Sequence, residues 1–231
     1  MIKLFADGAD KAGMLEMYRN PRIDGFTTNP TLMRKAGISN YETFAKEILK
    51  AIQDKPLSFE VFADDLNEME RQALEIKTWG SNVYVKIPVM NTQRVSTAPL
   101  IQRLTQAGVQ LNITAILTLE QVHEVGDALR GGASAFISVF AGRIADTGRD
   151  PIPLMQSALE ILRPNSSAEL LWASPREVLN VYQAEAIGCH IITATNDLLK
   201  KLSLKDKDLT DYSQETVQMF YSDAQSAGYK L

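Results

Sequence analysis

A lysine inside a short apolar run is the residue in this sequence best suited to covalent chemistry. Lys86 stands within Val83–Pro88 and has apolar neighbours on both sides. Inside a closed sheet such a lysine would be removed from water, which disfavours its charged form. A neutral amine attacks carbonyl carbons and forms a Schiff base. The alternatives are an exposed lysine on an edge strand, or a lysine held in a structural ion pair with a buried carboxylate.

Two carboxylates strengthen the case for chemistry at Lys86. Asp7 follows the first apolar run of the chain, and Glu60 lies within the third. Buried acids are rare unless they are paired or have a function. Schiff-base chemistry on a hydroxyketone needs several proton transfers, which two carboxylates and a hydroxyl such as that of Thr114 can carry out. The structural alternatives are a helix N-cap for Asp7 and an ion pair with Lys86 for Glu60.

Polar residues that suit a sugar phosphate follow several other apolar runs. Asn29 precedes a proline at a predicted turn, where its amide could bind sugar hydroxyls or fix the loop as an Asx turn. Arg143 follows one later run, and Ser174 and Arg176 follow the next. Arginine binds phosphate through its planar fork of N–H donors. The alternative for each arginine is an ordinary solvated side chain.

The elements that must position these residues alternate regularly along the chain. Alternation of strands and helices argues for parallel βαβ units, and eight units in 231 residues predict a (β/α)₈ barrel. The predicted strands are Ile2–Ala6, Gly25–Thr28, Leu57–Phe62, Asn82–Val89, Gln110–Leu117, Ala135–Ala141, Glu169–Ala173 and Cys189–Ala194. The predicted helices are Asp10–Arg19, Tyr41–Gln53, Leu66–Trp79, Val95–Ala107, Leu119–Arg130, Ile152–Leu162, Arg176–Ala186, Asn196–Leu202 and an extra segment, Gln214–Ala227.

Alternation within the strands favours a barrel over an open sheet. In the fourth run Val83, Val85 and Ile87 share one face, and Lys86 lies on the other. A barrel strand has helices on one side and the barrel interior on the other. The alternative, a half-solvated antiparallel sheet, does not need the long helical segments between the runs. The residues predicted to share the interior are Lys86, Glu60, Asn112, Thr114, Ser138 and Phe140.

Composition excludes several classes of protein. The net charge is −4 and no basic block is present, so we expect no nucleic-acid partner. No uncharged apolar stretch is long enough to span a bilayer, so we expect no membrane partner. The single cysteine, Cys189, permits no intramolecular disulfide, and a cytoplasmic location is therefore expected. Two histidines cannot build a His-rich site, and no metal is expected.

Two segments of the chain resemble a known family. Thr27–Thr31 (TTNPT) and Val83–Pro88 (VYVKIP) resemble the signature segments of transaldolases and fructose-6-phosphate aldolases, and the resemblance spans Leu4 to Ile192. It implies a class I aldolase on a single (β/α)₈ domain covering residues 1–231, with a C-terminal helical extension at about 210–231. It also implies phosphorylated sugar substrates, no metal or cofactor, and a homo-oligomer, either a pentamer or a decamer.

The resemblance implies a role for each candidate residue. Lys86 forms the Schiff base with C2 of the ketose, Asp7 takes the proton of the C4 hydroxyl, and Glu60 and Thr114 handle a catalytic water. Asn29, Asn112 and Ser138 bind the dihydroxyacetone unit, and Arg143, Ser174 and Arg176 bind the phosphate. The full set of expected substrate-binding residues is Asn29, Thr28, Asn112, Ser138, Phe140, Arg143, Ser174 and Arg176.

The resemblance also implies a reaction. Transaldolases of the pentose phosphate pathway move dihydroxyacetone from sedoheptulose 7-phosphate to glyceraldehyde 3-phosphate, which yields erythrose 4-phosphate and fructose 6-phosphate. Transaldolases carry Glu and Phe where fructose-6-phosphate aldolases carry Gln and Tyr, and this chain has Glu60 and Phe140. Transfer is therefore favoured over two alternatives: an aldolase that cleaves without an acceptor, and a non-catalytic barrel that binds sugar phosphates.

Overall fold

Eight parallel strands close into a barrel in chain order in the computed structural model, which describes residues 1–230. Each strand pairs with its neighbours in sequence, and β8 pairs back with β1 through partners such as Leu4 and Ile192. This topology confirms the predicted (β/α)₈ barrel and all eight predicted strands. The strands are β1 (Lys3–Asp7), β2 (Ile23–Thr27), β3 (Leu57–Glu60), β4 (Val83–Pro88), β5 (Leu111–Ile116), β6 (Ala135–Val139), β7 (Ala168–Trp172) and β8 (Ile191–Thr195).

Helices follow every strand of the barrel, as the βαβ pattern predicts. Two of them, Pro30–Lys35 and Ala141–Ala145, are short helices that the sequence did not predict. The helices are α1 (Lys11–Tyr18), α2 (Pro30–Lys35), α3 (Tyr41–Ala51), α4 (Leu66–Lys77), α5 (Ala98–Gln106), α6 (Leu119–Ala128), α7 (Ala141–Ala145), α8 (Ile152–Leu162), α9 (Leu179–Ala186), α10 (Asn196–Lys200) and α11 (Leu209–Ala227), with a 3₁₀ helix at Lys201–Leu204.

Local capping explains α2. The Asn29 side chain accepts a hydrogen bond from the backbone N–H of Leu32 at 3.0 Å, and Pro30 occupies the first turn. Asparagine is a preferred N-cap and proline a preferred first helical residue, so the Asn-Pro pair that predicts a turn here begins a helix. Asp7 is not a helix N-cap, which was its structural alternative. The N-cap of α1 is Asp10, whose carboxylate accepts from Gly13 N–H at 2.7 Å.

A layer of aromatic and aliphatic side chains fills the barrel interior below the polar residues. The rings of Tyr84 and Phe136 stack with centroids 4.0 Å apart, and Phe5 meets Phe136 edge-on at 5.4 Å. Gly25 makes room for this layer, because a Cβ there would lie 2.6 Å from the Phe5 ring. Phe5 and Tyr84 stand two residues before Asp7 and Lys86 on their strands. Side-chain alternation therefore places Asp7 and Lys86 directly above this apolar layer, which we call the apolar floor.

The chain divides into two compact units. The barrel occupies Met1–Leu199, and the second unit begins at Lys200. The second unit contains the 3₁₀ helix and α11, whose N-cap Asp208 accepts hydrogen bonds from the N–H groups of Thr210 and Asp211. The predicted helix Gln214–Ala227 lies within α11. No helix in residues 1–230 is both long enough and apolar enough to cross a bilayer.

Candidate active site

A cavity of about 600 Å³ opens at the carboxyl ends of the strands. This end of a (β/α)₈ barrel is where the loops between strands and helices form binding sites. All of the residues predicted to be catalytic or substrate-binding line this cavity, with the exception of Thr28. They come from strands distributed around the whole barrel, so closure of the sheet brings together side chains that are far apart in sequence.

Lys86 lies inside the barrel and is 7% exposed. Its Nζ donates a hydrogen bond to the carbonyl oxygen of Thr28 at 2.8 Å and lies 3.1 Å from Oε2 of Glu60. Glu60 and Lys86 are register partners on β3 and β4, which explains the pairing. The position excludes an exposed lysine on an edge strand. The ion pair with Glu60, the second alternative, is present, and both of its members face the cavity.

Thr28 is the predicted substrate-binding residue that does not line the cavity. Its side chain is fully buried, and its hydroxyl donates to the carbonyl oxygen of Ser58 at 2.8 Å. The hydroxyl is therefore used within the protein, between β2 and β3. What Thr28 presents to the site is its backbone carbonyl, which holds the Lys86 ammonium.

Tyr41, at the start of α3, fixes the backbone of Glu60. Its hydroxyl donates to the Glu60 carbonyl oxygen at 2.8 Å and accepts from the Glu60 N–H at 2.6 Å. The ring packs against Phe59, Phe62 and Trp79, with centroids 5.7 to 6.3 Å away. Burial raises the pKa of the Tyr41 hydroxyl well above its usual range, so the group stays neutral and can still donate.

Asp7 ends β1 and is joined to two hydroxyls on the neighbouring strands. Oδ1 of Asp7 accepts from Oγ1 of Thr27 on β2 at 2.8 Å, and Oγ1 of Thr27 lies 2.5 Å from Oγ1 of Thr193 on β8. Burial raises the pKa of the Asp7 carboxyl, while the positive charge of Lys86 and the Thr27 hydrogen bond oppose that rise. Neither threonine was predicted to be a site residue, and both line the cavity.

A chain of buried amide and hydroxyl groups fixes Asn112. Oγ of Ser138 donates to Oδ1 of Asn112 at 2.7 Å, and Nδ2 of Asn112 donates to Oγ of Ser58 at 2.9 Å. The bonds cross from β6 to β5 and on to β3, so the amide has one fixed orientation. Thr114 faces the cavity near the end of the same strand, and Ala115 then adopts a left-handed conformation with φ 63°. Such a conformation is costly for a residue other than glycine and is common at functional sites.

Two arginines stand at the part of the cavity rim that follows β6 and β7. The guanidinium carbon of Arg143 lies 5.1 Å from the centroid of the Phe140 ring. Arg176 donates from Nε to Oδ1 of Asp146 at 2.8 Å and makes a second bond, from Nη2 to Oδ2. This pairing lowers the pKa of the Asp146 carboxyl. The forked contact holds the guanidinium in one plane, and both arginines stay exposed to the cavity.

Close backbone contact joins the two arginine segments. Gly142 precedes Arg143 in α7, and a Cβ at Gly142 would lie 1.6 Å from the carbonyl oxygen of Ser174. Only glycine lets the helix approach this closely, and Ser174 itself has a left-handed φ of 57°. Sequence reasoning also missed Lys35 at the end of α2, which adds a fourth cationic side chain to the cavity lining, beside Lys86, Arg143 and Arg176. No group of three His, Cys, Asp or Glu side chains in residues 1–230 is arranged to hold a metal ion.

A family model described as Transaldolase/Fructose-6-phosphate aldolase matches residues 4–231. The chain belongs to this family. A protein of Dehalococcoides mccartyi named "Probable transaldolase" is 32% identical over 211 residues, which are 91% of this chain and 93% of that protein. A protein of Streptococcus pyogenes serotype M5 with the same name is 34% identical over 203 residues, 87% of this chain and 90% of that protein.

Solved structures similar to this chain are other (β/α)₈ barrels. The 3-hexulose-6-phosphate synthase of Salmonella typhimurium superposes with a TM-score of 0.57 at 15% identity, over 84% of this chain and 89% of the other. KGPDC of Streptococcus mutans superposes with a TM-score of 0.58 at 12% identity, over 85% of this chain and 89% of the other. At these identities the likeness concerns the fold. Membership of the transaldolase/fructose-6-phosphate aldolase family, and not the likeness to these structures, bears on function.

Proposed function

We propose that this protein is a transaldolase that transfers a dihydroxyacetone unit between sugar phosphates through a Schiff base on Lys86. The observation that carries the proposal is the position of the amine. It is buried at the cavity, 3.1 Å from the Glu60 carboxylate, and a second, partly buried carboxyl, that of Asp7, lines the same cavity. Membership of the transaldolase/fructose-6-phosphate aldolase family and relatives named as transaldolases support the same activity.

The first step joins the ketose to the enzyme. Nζ of Lys86 passes its extra proton to Glu60 and attacks C2 of the ketose, which gives a carbinolamine. Protonation of the carbinolamine hydroxyl lets it leave as water, and a C=N bond forms. Glu60 and Thr114 both face the cavity and would hold the water that carries these protons. The Thr28 carbonyl keeps the amine pointed at the substrate before the reaction.

The second step breaks the C3–C4 bond. The Asp7 carboxylate takes the proton from the C4 hydroxyl, and the electrons of that O–H bond form the carbonyl of the leaving aldose phosphate. The C3–C4 electrons move toward the iminium nitrogen, which becomes neutral as the enamine forms. The aldose phosphate leaves, and the enamine attacks a second aldehyde by the reverse of these events. Asp7 then returns its proton to the new hydroxyl.

The rest of the cavity suits the two ends of a sugar phosphate. Asn112 and Ser138 form a fixed polar pair next to Lys86, suited to the hydroxyls of the dihydroxyacetone unit. Asn29 uses its oxygen as a helix cap, which leaves its amide N–H groups for a ligand. Arg143 and Arg176 present charged N–H donors to a phosphate, and charge-assisted bonds of this kind are the strong ones.

Phe140 favours transfer over simple cleavage. Its ring lines the cavity beside Arg143 and carries no acidic proton. Release of free dihydroxyacetone requires protonation of the enamine at C3, and a side chain without a proton does not assist that step. The enamine therefore waits for an acceptor aldehyde. A tyrosine at this place, as fructose-6-phosphate aldolases have, would supply the proton and favour cleavage.

Trapping with borohydride tests the proposal. Fructose 6-phosphate and borohydride should add a dihydroxyacetone-derived mass to the peptide that contains Lys86. Lys86→Met should abolish both the adduct and transfer, and Lys46→Met, which removes a surface lysine paired with Glu42, should leave both intact. An adduct on another lysine, or saturable binding of the sugar phosphate with no adduct, would refute the proposal.

Dependence on the acceptor separates transfer from cleavage. With fructose 6-phosphate alone, little free dihydroxyacetone should appear, and product formation should begin when an aldose phosphate is added. Rapid release of dihydroxyacetone without acceptor would instead favour the aldolase that cleaves without an acceptor. We further propose that the protein is cytoplasmic and forms a homo-oligomer, either a pentamer or a decamer. Light scattering of the purified protein tests the size of the oligomer.

A further inference from the structure

We propose that Thr193 is a positioning residue for the base Asp7, to which it is connected through the hydroxyl of Thr27. This inference rests on the proposed function, because it gives Thr193 a role in the proton transfer at C4. The three residues stand on three consecutive strands of the closed barrel, β8, β1 and β2. The contact exists only because β8 pairs with β1.

The number of available protons sets the direction of the two hydrogen bonds. The Thr27 hydroxyl has one proton, and an ionised carboxylate only accepts. The Thr27 proton therefore points to Oδ1 of Asp7, 2.8 Å away. Oγ1 of Thr193 is 2.5 Å from Oγ1 of Thr27, so Thr193 must be the donor in that contact. Two hydroxyls in series thus support the charged form of Asp7.

The ionised form of Asp7 needs this support because the carboxyl is partly buried. Asp7 is partly buried at the base of the cavity, which raises its pKa and favours the protonated form, and a protonated carboxyl cannot serve as a base. The charged groups that act on Asp7 are Lys86 on β4, which favours ionisation, and Glu60 on β3, which opposes it. The two hydroxyls add to the support that Lys86 gives the ionised Asp7, and they do so without bringing a further charge into the site.

The two hydrogen bonds that link Asp7, Thr27 and Thr193 can also reverse direction when Asp7 gains the proton. A protonated Asp7 can donate to Thr27, Thr27 can then donate to Thr193, and the Thr193 proton can turn to the cavity that this residue lines. Both hydroxyls are buried, with Thr27 at 2% and Thr193 at 6% exposure, so bulk water does not compete for these bonds. The same two side chains therefore suit Asp7 before and after proton transfer.

Packing alone does not account for a threonine at position 193. Ile191, two residues earlier on the same face of β8, fills the barrel interior with an apolar side chain. Valine has the shape of threonine without the hydroxyl, and a residue needed only to fill space could be valine. The hydroxyl of Thr193 has its partner within the Asp7 chain, which points to a role in the site.

The test compares Thr193→Val with Thr193→Ser, and uses Thr43→Val as a matched control at an exposed threonine of α3. Aspartate labelled with ¹³C at the carboxyl carbon allows Asp7 to be titrated by NMR in the free protein. The Asp7 signal is identified by its loss in Asp7→Asn. The same variants are then assayed for the pH dependence of kcat/KM with fructose 6-phosphate and an acceptor.

We expect Thr193→Val to move the Asp7 titration and the acidic limb of kcat/KM to higher pH, with a loss of about tenfold on the acidic side, the size of one weakened hydrogen bond to a charged group. Thr193→Ser and Thr43→Val should match the wild type. An unchanged Asp7 titration in folded Thr193→Val overturns the inference. If the titration moves but the wild-type protein transfers nothing, the proposed function fails, and with it the catalytic role of Thr193, while the hydrogen-bond chain stands.

Discussion

Replacing Gly142 by alanine should damage phosphate recognition while leaving Schiff-base formation intact. A Cβ at this position would lie 1.6 Å from the carbonyl oxygen of Ser174 and 2.6 Å from its carbonyl carbon. To reach an ordinary contact distance, α7 and the loop after β7 must separate by roughly 1.5 Å, because a close-packed interior has no free volume to absorb the methyl group. Overpacking of this kind costs about 1–3 kcal/mol of stability.

The displaced segments carry the proposed phosphate ligands. Arg143 follows Gly142 directly, and Ser174 and Arg176 lie on the other side of the contact. A misplacement of about 1 Å can reduce catalysis on the order of 100-fold, so we expect a loss of that size in kcat/KM with fructose 6-phosphate and erythrose 4-phosphate. Lys86 and Asp7 stand on β4 and β1, away from the contact, and should keep their geometry.

The assay separates these two effects. Borohydride trapping of unphosphorylated dihydroxyacetone on Lys86 should proceed nearly as in the wild type, while transfer between phosphorylated sugars falls. Gly8→Ala is the control, because its Cβ meets no atom within 4 Å. If trapping and transfer fall together in folded Gly142→Ala, or if neither falls, the assignment of this contact to phosphate recognition is wrong.

Two further changes test how the carboxylates are held. Tyr41→Phe removes the hydroxyl that bonds both the N–H and the carbonyl oxygen of Glu60, so it should lower the free energy of unfolding in urea by about 1–3 kcal/mol. It should also lower transfer more than Tyr18→Phe does. Tyr18 is the control, because its hydroxyl bonds an exposed aspartate. Asp7→Asn should abolish transfer yet raise Tm by a few degrees at neutral pH. The fold raises the pKa of Asp7 and so favours its neutral form, and the stability difference should vanish as the pH falls below the ordinary aspartate pKa. Equal Tm values for Asp7→Asn and the wild type at neutral pH would contradict the expected stabilisation.

Much of the barrel follows from local patterns in the sequence. Alternation in strands such as Val83–Pro88 predicts which side chains face inward, and that alternation puts Lys86 inside. The run of eight strands and helices then predicts a closed sheet. Boundaries are less accurate where a strand passes directly into a short helix. The predicted strand Ala135–Ala141 ends at Val139, because Ala141 already begins α7.

Contacts between distant strands and helices are the part that the sequence does not reveal. Thr193 lies in an apolar run with nothing to mark it, and its importance appears only when β8 closes against β1 beside Thr27. Tyr41 is read from sequence as one more residue of an amphipathic helix, although its hydroxyl reaches the end of β3. In both cases the informative feature is a hydrogen bond whose existence depends on the finished barrel.

The ion pair between Lys86 and Glu60, the structural alternative to a catalytic lysine, is present, and it is also compatible with the proposed chemistry. A buried ion pair is weak evidence for stability, because well-packed apolar residues of similar volume often do as well or better. This pair stands directly above the apolar floor of Phe5, Tyr84 and Phe136, where the same barrel is filled without charge. If stability were the sole requirement, apolar side chains could occupy the positions of Lys86 and Glu60 as well. A cation and an anion at the base of an open cavity are what the proposed reaction requires, an amine and a group that can take its proton.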